Sequence, residues 1–184
     1  ARKGHRYLLE AIAEPAAARD PAALRCFIVG DGSLRGELQR AIVRLGLEGR
    51  VRLTGGVEDP RAVLWALDIF AFPSLNEGLG VALLEAMGCG LAAVAANVGG
   101  VGEVIEDGRS GRLVEPGSAH PLARAIAVLA ADRAMRERFG AAARHRIVER
   151  FSIAAMARAT LELYRTCLGR AGLRAGSSDG GAAK

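Results

Sequence analysis

The sequence predicts an α/β fold, a parallel sheet with helices on both faces that ends in helices alone. Three observations predict it. Short apolar, strand-like runs alternate with helical patterns from Leu24 to Val114. The connections between them are short. From Ala119 onward only helical patterns remain. Parallel strands need crossover helices, and those helices cover both faces of the sheet. At 184 residues the chain has room for one domain with a sizeable core.

The elements follow in order. Leu24–Val29 is an apolar strand that ends at Gly30-Asp-Gly32. Ser33 is positioned to cap a helix running to about Leu45, with Glu37 near its first turn and Gly46 as its stop. Val51–Thr54 is a short strand. Asp59-Pro60 opens a helix through Leu67, with Asp as N-cap and Pro at the first position. Ile69–Phe72 is the next strand, and a helix from Glu77 to Gly88-Cys-Gly90 follows it. Leu91–Ala95 is a buried strand. Gly99-Gly100 introduces a short helix through Ile105, and Asp107-Gly108 turns into Gly111–Val114. Helices are expected at Pro121–Ala131, Ala134–Arg150 and Ile153–Leu168, the last two separated by Phe151-Ser152 with Ser152 as N-cap. Trp65 falls at helical spacing among apolar residues, so core packing is expected rather than ligand stacking. Residues 1–168 form the domain, and 169–184, rich in Gly, Ala and Ser without apolar period, is expected to be a disordered tail.

Composition narrows the function classes. Hydrophobic residues make up 51% and charged residues 24%, as in a water-soluble globular protein, while 4% aromatics implies an aliphatic, Ala-rich core. No apolar run is long enough to span a bilayer and no signal peptide is visible. Cys26, Cys89 and Cys167 are odd in number and far apart, with Cys26 expected as a buried reduced thiol; the pattern suits a reducing cytoplasm. His5, His120 and His145 are equally scattered, so no metal site is expected. The net charge of +5 is almost all Arg, much of it between Arg133 and Arg174. A solvated helical face explains this, and attraction to an anionic membrane or an acidic partner is the sharper alternative. Nucleic acid is not expected, because no recognition motif or aromatic platform accompanies the charge.

Ligands of open α/β sheets bind outside the carboxyl ends of the strands. Four glycine-bearing segments follow strands at that rim: Gly30-Asp-Gly32, Gly55-Gly56, Asn76–Gly80 and Gly99-Gly100. The third carries Glu77, and Glu85 lies eight residues further on, a little over two helical turns. Both carboxylates can face one cleft. An acid and nucleophile pair for glycoside hydrolysis is disfavoured, since one helix seldom places both groups across a scissile bond. Accepting hydrogen bonds from vicinal hydroxyls of a sugar and a ribose remains open, and so does a plain solvated helix face with Glu77 as a partner of the helix dipole. Gly78 and Gly80 bracket Leu79 and expose the amides of Leu79, Gly80 and Val81 to an anion, or they serve turn chemistry alone. Lys3, before the first helix, is either a cation for a diphosphate or a solvated terminal side chain.

Pro73-Ser-Leu-Asn-Glu77-Gly-Leu-Gly80-Val-Ala-Leu-Leu-Glu85-Ala-Met87 resembles the E-x7-E signature of retaining GT4-type glycosyltransferases (glycosyl transferases group 1). Lys3-Gly4-His5, Val29–Gly32, Val51–Gly55, Asn97–Gly100, Glu103-Val-Ile105 and Gly108–Val114 resemble its successive motifs, in order. The resemblance implies the C-terminal, donor-binding half of a GT-B fold, a Rossmann-like domain that faces an N-terminal acceptor domain across a cleft. It implies that Glu77 holds the donor sugar, Glu85 the ribose, and Lys3 the diphosphate leaving group. Gly78 and the amides of Leu79, Gly80 and Val81 lie against the sugar or diphosphate, and Gly30, Asp31, Gly55, Gly56 and Val57 surround the base. Glu77 and Lys3 are then the catalytic pair. It further implies metal-independent transfer from a nucleoside-diphosphate sugar with retention of configuration, in the cytoplasm or peripherally at the inner membrane face. On this reading residues 1–168 are the donor domain, and they are inactive without the acceptor domain. The alternatives are a non-catalytic nucleotide-sugar-binding module, a subunit of a two-chain transferase, and a membrane-surface protein acting through the Arg-rich helices. Leu91 and Gly102 stand where the family commonly has Pro, and Gly102 is expected to loosen the loop before Glu103.

Overall fold

The computed structural model describes residues 2–14 and 24–170. The chain divides into two compact units, residues 1–147 and 148–184. In the first unit the order is α1 (His5–Ala13), β1 (Cys26–Val29), α2 (Arg35–Arg44), β2 (Val51–Gly55), α3 (Pro60–Trp65), β3 (Ile69–Phe72), α4 (Val81–Gly88), β4 (Ala92–Ala96), α5 (Val101–Val104), β5 (Gly111–Val114), α6 (Ala119–Ala131) and α7 (Arg133–Arg146). The second unit opens within a π-helical turn, Ile147–Phe151, and continues as α8 (Ile153–Arg170). Gly169 and Arg170, expected in the tail, are therefore helical; the rest of that tail lies outside the described residues. The helix expected to reach Arg150 is α-helical to Arg146 only, before the π turn.

Among the described residues the named strands pair in parallel, as expected. They hydrogen-bond in two groups, β1 with β2 and β3-β4-β5. Ala92–Ala96 is buried at every position. Successive strand side chains point to opposite faces, so burial throughout means that both faces of β4 are covered. The helices α4, α6 and α7 pack on it. One core joins Leu8, Leu9 and Ile12 of α1, Ile28, Val51 and Val94 of the strands, and Leu122, Ile126 and Leu129 of α6, so the two strand groups share a single hydrophobic interior. A smaller cluster, Leu64, Ala86 and Leu91, packs α3 against α4.

Local chemistry explains most boundaries. Asp59 caps α3, its carboxylate accepting from the Arg61 amide at 3.0 Å with Pro60 at the first turn. Asp132 caps α7 by accepting from Met135 N–H at 2.8 Å. Asp132→Ala is expected to cost about 1 kcal/mol in urea unfolding. Ser33 does not cap α2: the helix starts after Leu34, and no side chain caps it. Ser152 does bond the Ala155 amide, at 3.2 Å. Trp65 is not in the core either. It is 72% exposed, because the six-residue α3 buries one narrow side through Leu64, and the next side chain lies about 100° round the helix. Cys26 is half-buried, and burial pushes its thiol pKa up to about 11; Cys89 is half-buried and Cys167 exposed, all three as free thiols. Among the described residues, no helix is long and apolar enough to cross a membrane.

Candidate functional site

The β3–α4 loop, Pro73–Gly80, leaves the sheet at the carboxyl end of β3, and two neighbouring segments hold it in place. The first is the N-terminus. The Leu75 amide donates to the Arg2 carbonyl at 2.8 Å, and a Cβ at Gly4 would lie 1.8 Å from the Pro73 carbonyl oxygen, so glycine is what lets the chain pass there. The second is the β4–α5 loop. The Gly100 amide donates to the Gly78 carbonyl at 2.7 Å, and a Cβ at Gly99 would lie 1.9 Å from the Glu77 carbonyl oxygen. Two loops far apart in sequence thus set the backbone of the Glu77 loop.

The side chains complete the arrangement. Lys3 Nζ donates to Glu77 Oε1 at 2.5 Å and sits 5.9 Å from the centre of the Phe72 ring. Ser74 Oγ donates to the same Oε1 at 3.0 Å. The Glu77 carboxylate is 10% exposed and Lys3 56%, so the cation stands at the water side. Burial pushes the Glu77 pKa up, but the hydrogen bonds from Lys3 and Ser74 and the charges of Lys3 and Arg2 outweigh it and hold the carboxyl below its ordinary range. Glu77 is therefore an anion at neutral pH.

Two helices begin beside this loop. The N-caps of α1 and α4 are Gly4 and Gly80, and neither helix has a side-chain cap or an acidic residue in its first turn. Their first amides and dipoles are thus available to an external anion. His5, in the first turn of α1, has its pKa lowered by burial and by the charge of Lys3. On α4, Val81 and Glu85 are exposed one turn apart, so they share a face; Leu79 is also exposed. Glu85 faces solvent while Glu77 is anchored, and the two carboxylates have different environments.

A separate group lies at the carboxyl ends of β1 and β2. The Gly30 amide donates to the Gly55 carbonyl at 2.8 Å, bringing the two expected segments together. Asp31 is exposed, its Oδ1 bonding the Gly32 amide at 2.8 Å; Gly56 is exposed and Val57 half-buried. A small depression of about 10 Å³ lies between α1 and α6, lined by Tyr7, Pro73, Val114 and Ser118 among others. Ligand pockets usually enclose roughly 300–1,000 Å³. That depression is far smaller than a ligand pocket, and Lys3, Glu77 and Glu85 do not line it. Among the described residues, no group of three or more His, Cys, Asp or Glu is placed to hold a metal.

Ser74 is a site residue that the sequence reading lacks. Its signal was present, a hydroxyl three residues before the loop carboxylate, but only the fold shows it buried and aimed at Glu77. The support from Gly99 and Gly100 was likewise visible only as a rim loop. Gly102 has a neighbour of its own, since a Cβ there would lie 2.9 Å from Asn97 Oδ1.

The family model described as glycosyl transferases group 1 matches residues 1–132. The chain belongs to the glycosyl transferases group 1 family. The lipopolysaccharide core biosynthesis glycosyltransferase LpsE of Rhizobium meliloti is 35% identical to this chain over 162 residues, 88% of the chain and 46% of LpsE. The alpha-maltose-1-phosphate synthase of Mycobacterium tuberculosis is 44% identical over 111 residues, 57% of the chain and 29% of the synthase. The crystal structure of Anabaena HepE in complex with UDP-glucose superposes with a TM-score of 0.80 at 31% identity, over 90% of the chain and 46% of HepE. The C-terminal domain of the group 1 protein LpcC from Francisella tularensis superposes with a TM-score of 0.72 at 26% identity, over 83% of the chain and 81% of that domain. The chain thus has the α/β, Rossmann-like fold of the C-terminal half of a GT-B protein. It spans 46% and 29% of the length of the two curated relatives just described.

Proposed function

We propose that this domain binds a nucleoside-diphosphate sugar and supplies the donor half of a transferase that moves the sugar to an acceptor with retention of anomeric configuration. One observation carries the reading: Lys3 and the anchored Glu77 carboxylate stand beside the uncapped start of α4, with exposed Glu85 further along that helix. Cation and helix amides suit a diphosphate, and carboxylates suit hydroxyls. UDP and UDP-glucose bind HepE, which shares this fold.

In this reading Glu77 accepts from hydroxyls of the donor sugar, and Glu85 accepts from the ribose. Gly78 and the amides of Leu79, Gly80 and Val81 line the sugar and diphosphate. The paired loops at Gly30-Asp31 and Gly55-Gly56-Val57 flank the base. As the sugar–phosphate bond breaks, negative charge grows on the leaving oxygen. Lys3 and the dipoles of α1 and α4 stabilise that charge in the place where other enzymes use a metal. Transfer by the full-length protein should then survive EDTA. The acceptor and the opposite wall of the cleft belong to the remainder of the polypeptide, as the greater length of the relatives supports.

Thermal unfolding with UDP, GDP, ADP and their sugars tests the reading, because a ligand of the folded state raises Tm. At least one nucleotide should raise it. Glu85→Ala should weaken the bare nucleotide by roughly tenfold, the scale of a lost hydrogen bond to a charged group. No Tm change with any of these nucleotides would sink the proposal, and nucleotide affinity indifferent to Glu85 would remove that residue from the site.

A further inference from the structure

The Glu77 carboxylate has two described partners of very different character. Lys3 is a long side chain, 56% exposed, and belongs to the N-terminal segment. Ser74 is 1% exposed, in the loop itself, with a two-atom side chain. Both donate to Oε1, at 2.5 and 3.0 Å. Among the described hydrogen bonds none falls on Oε2, which keeps its acceptor capacity.

We propose that Ser74 is a positioning residue: its hydroxyl holds Oε1 of Glu77 so that Oε2 is presented to the donor sugar, and it keeps holding when Lys3 turns from Glu77 to the diphosphate. This inference rests on the donor-site reading. Lys3 cannot give its full charge to a leaving phosphate while it is tightly bound to a carboxylate. A flexible, half-exposed lysine can exchange partners at small cost. The carboxylate it leaves, only 10% exposed, would then lack a donor unless a fixed group remains. Ser74 is that group. Its short side chain loses little rotamer freedom in staying, and the backbone beside it is tied by the bond from the Leu75 amide to the Arg2 carbonyl. Ser110 is equally buried, but its Oγ accepts from the Glu106 amide at 2.9 Å, a purely structural bond in another loop.

A double-mutant cycle in the full-length protein tests this, read as affinity for bare nucleotides (UDP, GDP, ADP) and for UDP-glucose, UDP-N-acetylglucosamine, GDP-mannose and ADP-glucose. Ser74→Ala should weaken the bound sugar nucleotide by about tenfold and leave the bare nucleotide unchanged. In a Glu77→Ala background the same substitution should have no further effect, since Ser74 acts only through Glu77. Ser110→Ala should leave both affinities as they are. An equal loss in both backgrounds, or an equal loss for bare nucleotide and sugar nucleotide, would overturn the role of Ser74 while leaving the donor site intact. If none of the nucleotides binds the unsubstituted protein, the donor-site reading falls and this role with it. Should Ser74→Ala not fold, Ser74→Cys carries the same test, because a thiol is a weaker donor of similar shape and should give a smaller loss in the same pattern.

Discussion

Glu77→Gln is expected to reduce sugar transfer by the full-length protein by roughly 10- to 100-fold, with little change in affinity for the bare nucleotide. The magnitude follows from the loss of charge-assisted hydrogen bonds, each worth about 1.5–3 kcal/mol. Gln fits the same space and can still accept from Ser74, so the loop should keep its shape. It cannot hold Lys3 as an ion pair or offer a charged oxygen to sugar hydroxyls. The loss should therefore fall on the sugar-bearing donor. Steady-state kinetics beside nucleotide affinity measures this, and a variant that weakened sugar nucleotide and bare nucleotide alike would reassign Glu77 to general loop structure. The same variant has a signature in stability. The folded-state pKa of Glu77 lies below its ordinary value. Its contribution is then complete above the ordinary carboxylate range and is lost as pH falls through the depressed folded value. Urea unfolding of Glu77→Gln should show a flatter stability profile in that acid window.

Gly99→Ala is expected to be, with Gly4→Ala, among the most damaging single-methyl additions near the site. The new Cβ would sit 1.9 Å from the Glu77 carbonyl oxygen, where ordinary contact is 3.4 Å or more, and the residue has φ of +49°, a conformation L side chains rarely adopt. Neither neighbour can yield cheaply, because the obstructing atom is backbone. Left-handed strain of about 1–2 kcal/mol and overpacking of about 1–3 kcal/mol together suggest a loss of roughly 2–5 kcal/mol. For a domain of this size that lowers Tm by roughly 5–15 °C. Because the displaced atom belongs to Glu77, sugar-nucleotide affinity should fall with stability. Gly49→Ala is the comparison: a Cβ there meets nothing within 4 Å, and Gly49 lies outside the proposed site. If Gly99→Ala proved as stable as Gly49→Ala and bound sugar nucleotide as well as the unsubstituted protein, the β4–α5 loop would have no supporting role.

The division between local and long-range information runs through each part of the molecule. Strand and helix order from β1 to α7 was readable because apolar period and turn residues act within a few positions. The caps Asp59 and Asp132 show both cases. Asp59 was expected from its Pro neighbour, and Asp132 was not singled out, though its bond to Met135 is just as local. Ser33 had the right residue type and no cap bond, since α2 begins one residue later. Trp65 misled because apolar spacing says which residues share a helix side, not whether anything covers that side.

By itself the sequence determined the α/β class, the parallel pairing of the strands and the glycine-bearing rim, and it pointed through an ordered set of motifs to group 1 glycosyltransferases. These rest on residue type and short-range spacing, which the chain carries explicitly. The tertiary structure alone decided that Lys3 and Ser74 meet on one oxygen of Glu77, that Gly4 and Gly99 admit the backbone of the same loop, and that Gly30 bonds Gly55. Those contacts join segments up to 74 residues apart. Their distances depend on how the strands align in the sheet and how the helices pack on it, and no spacing along the chain records either.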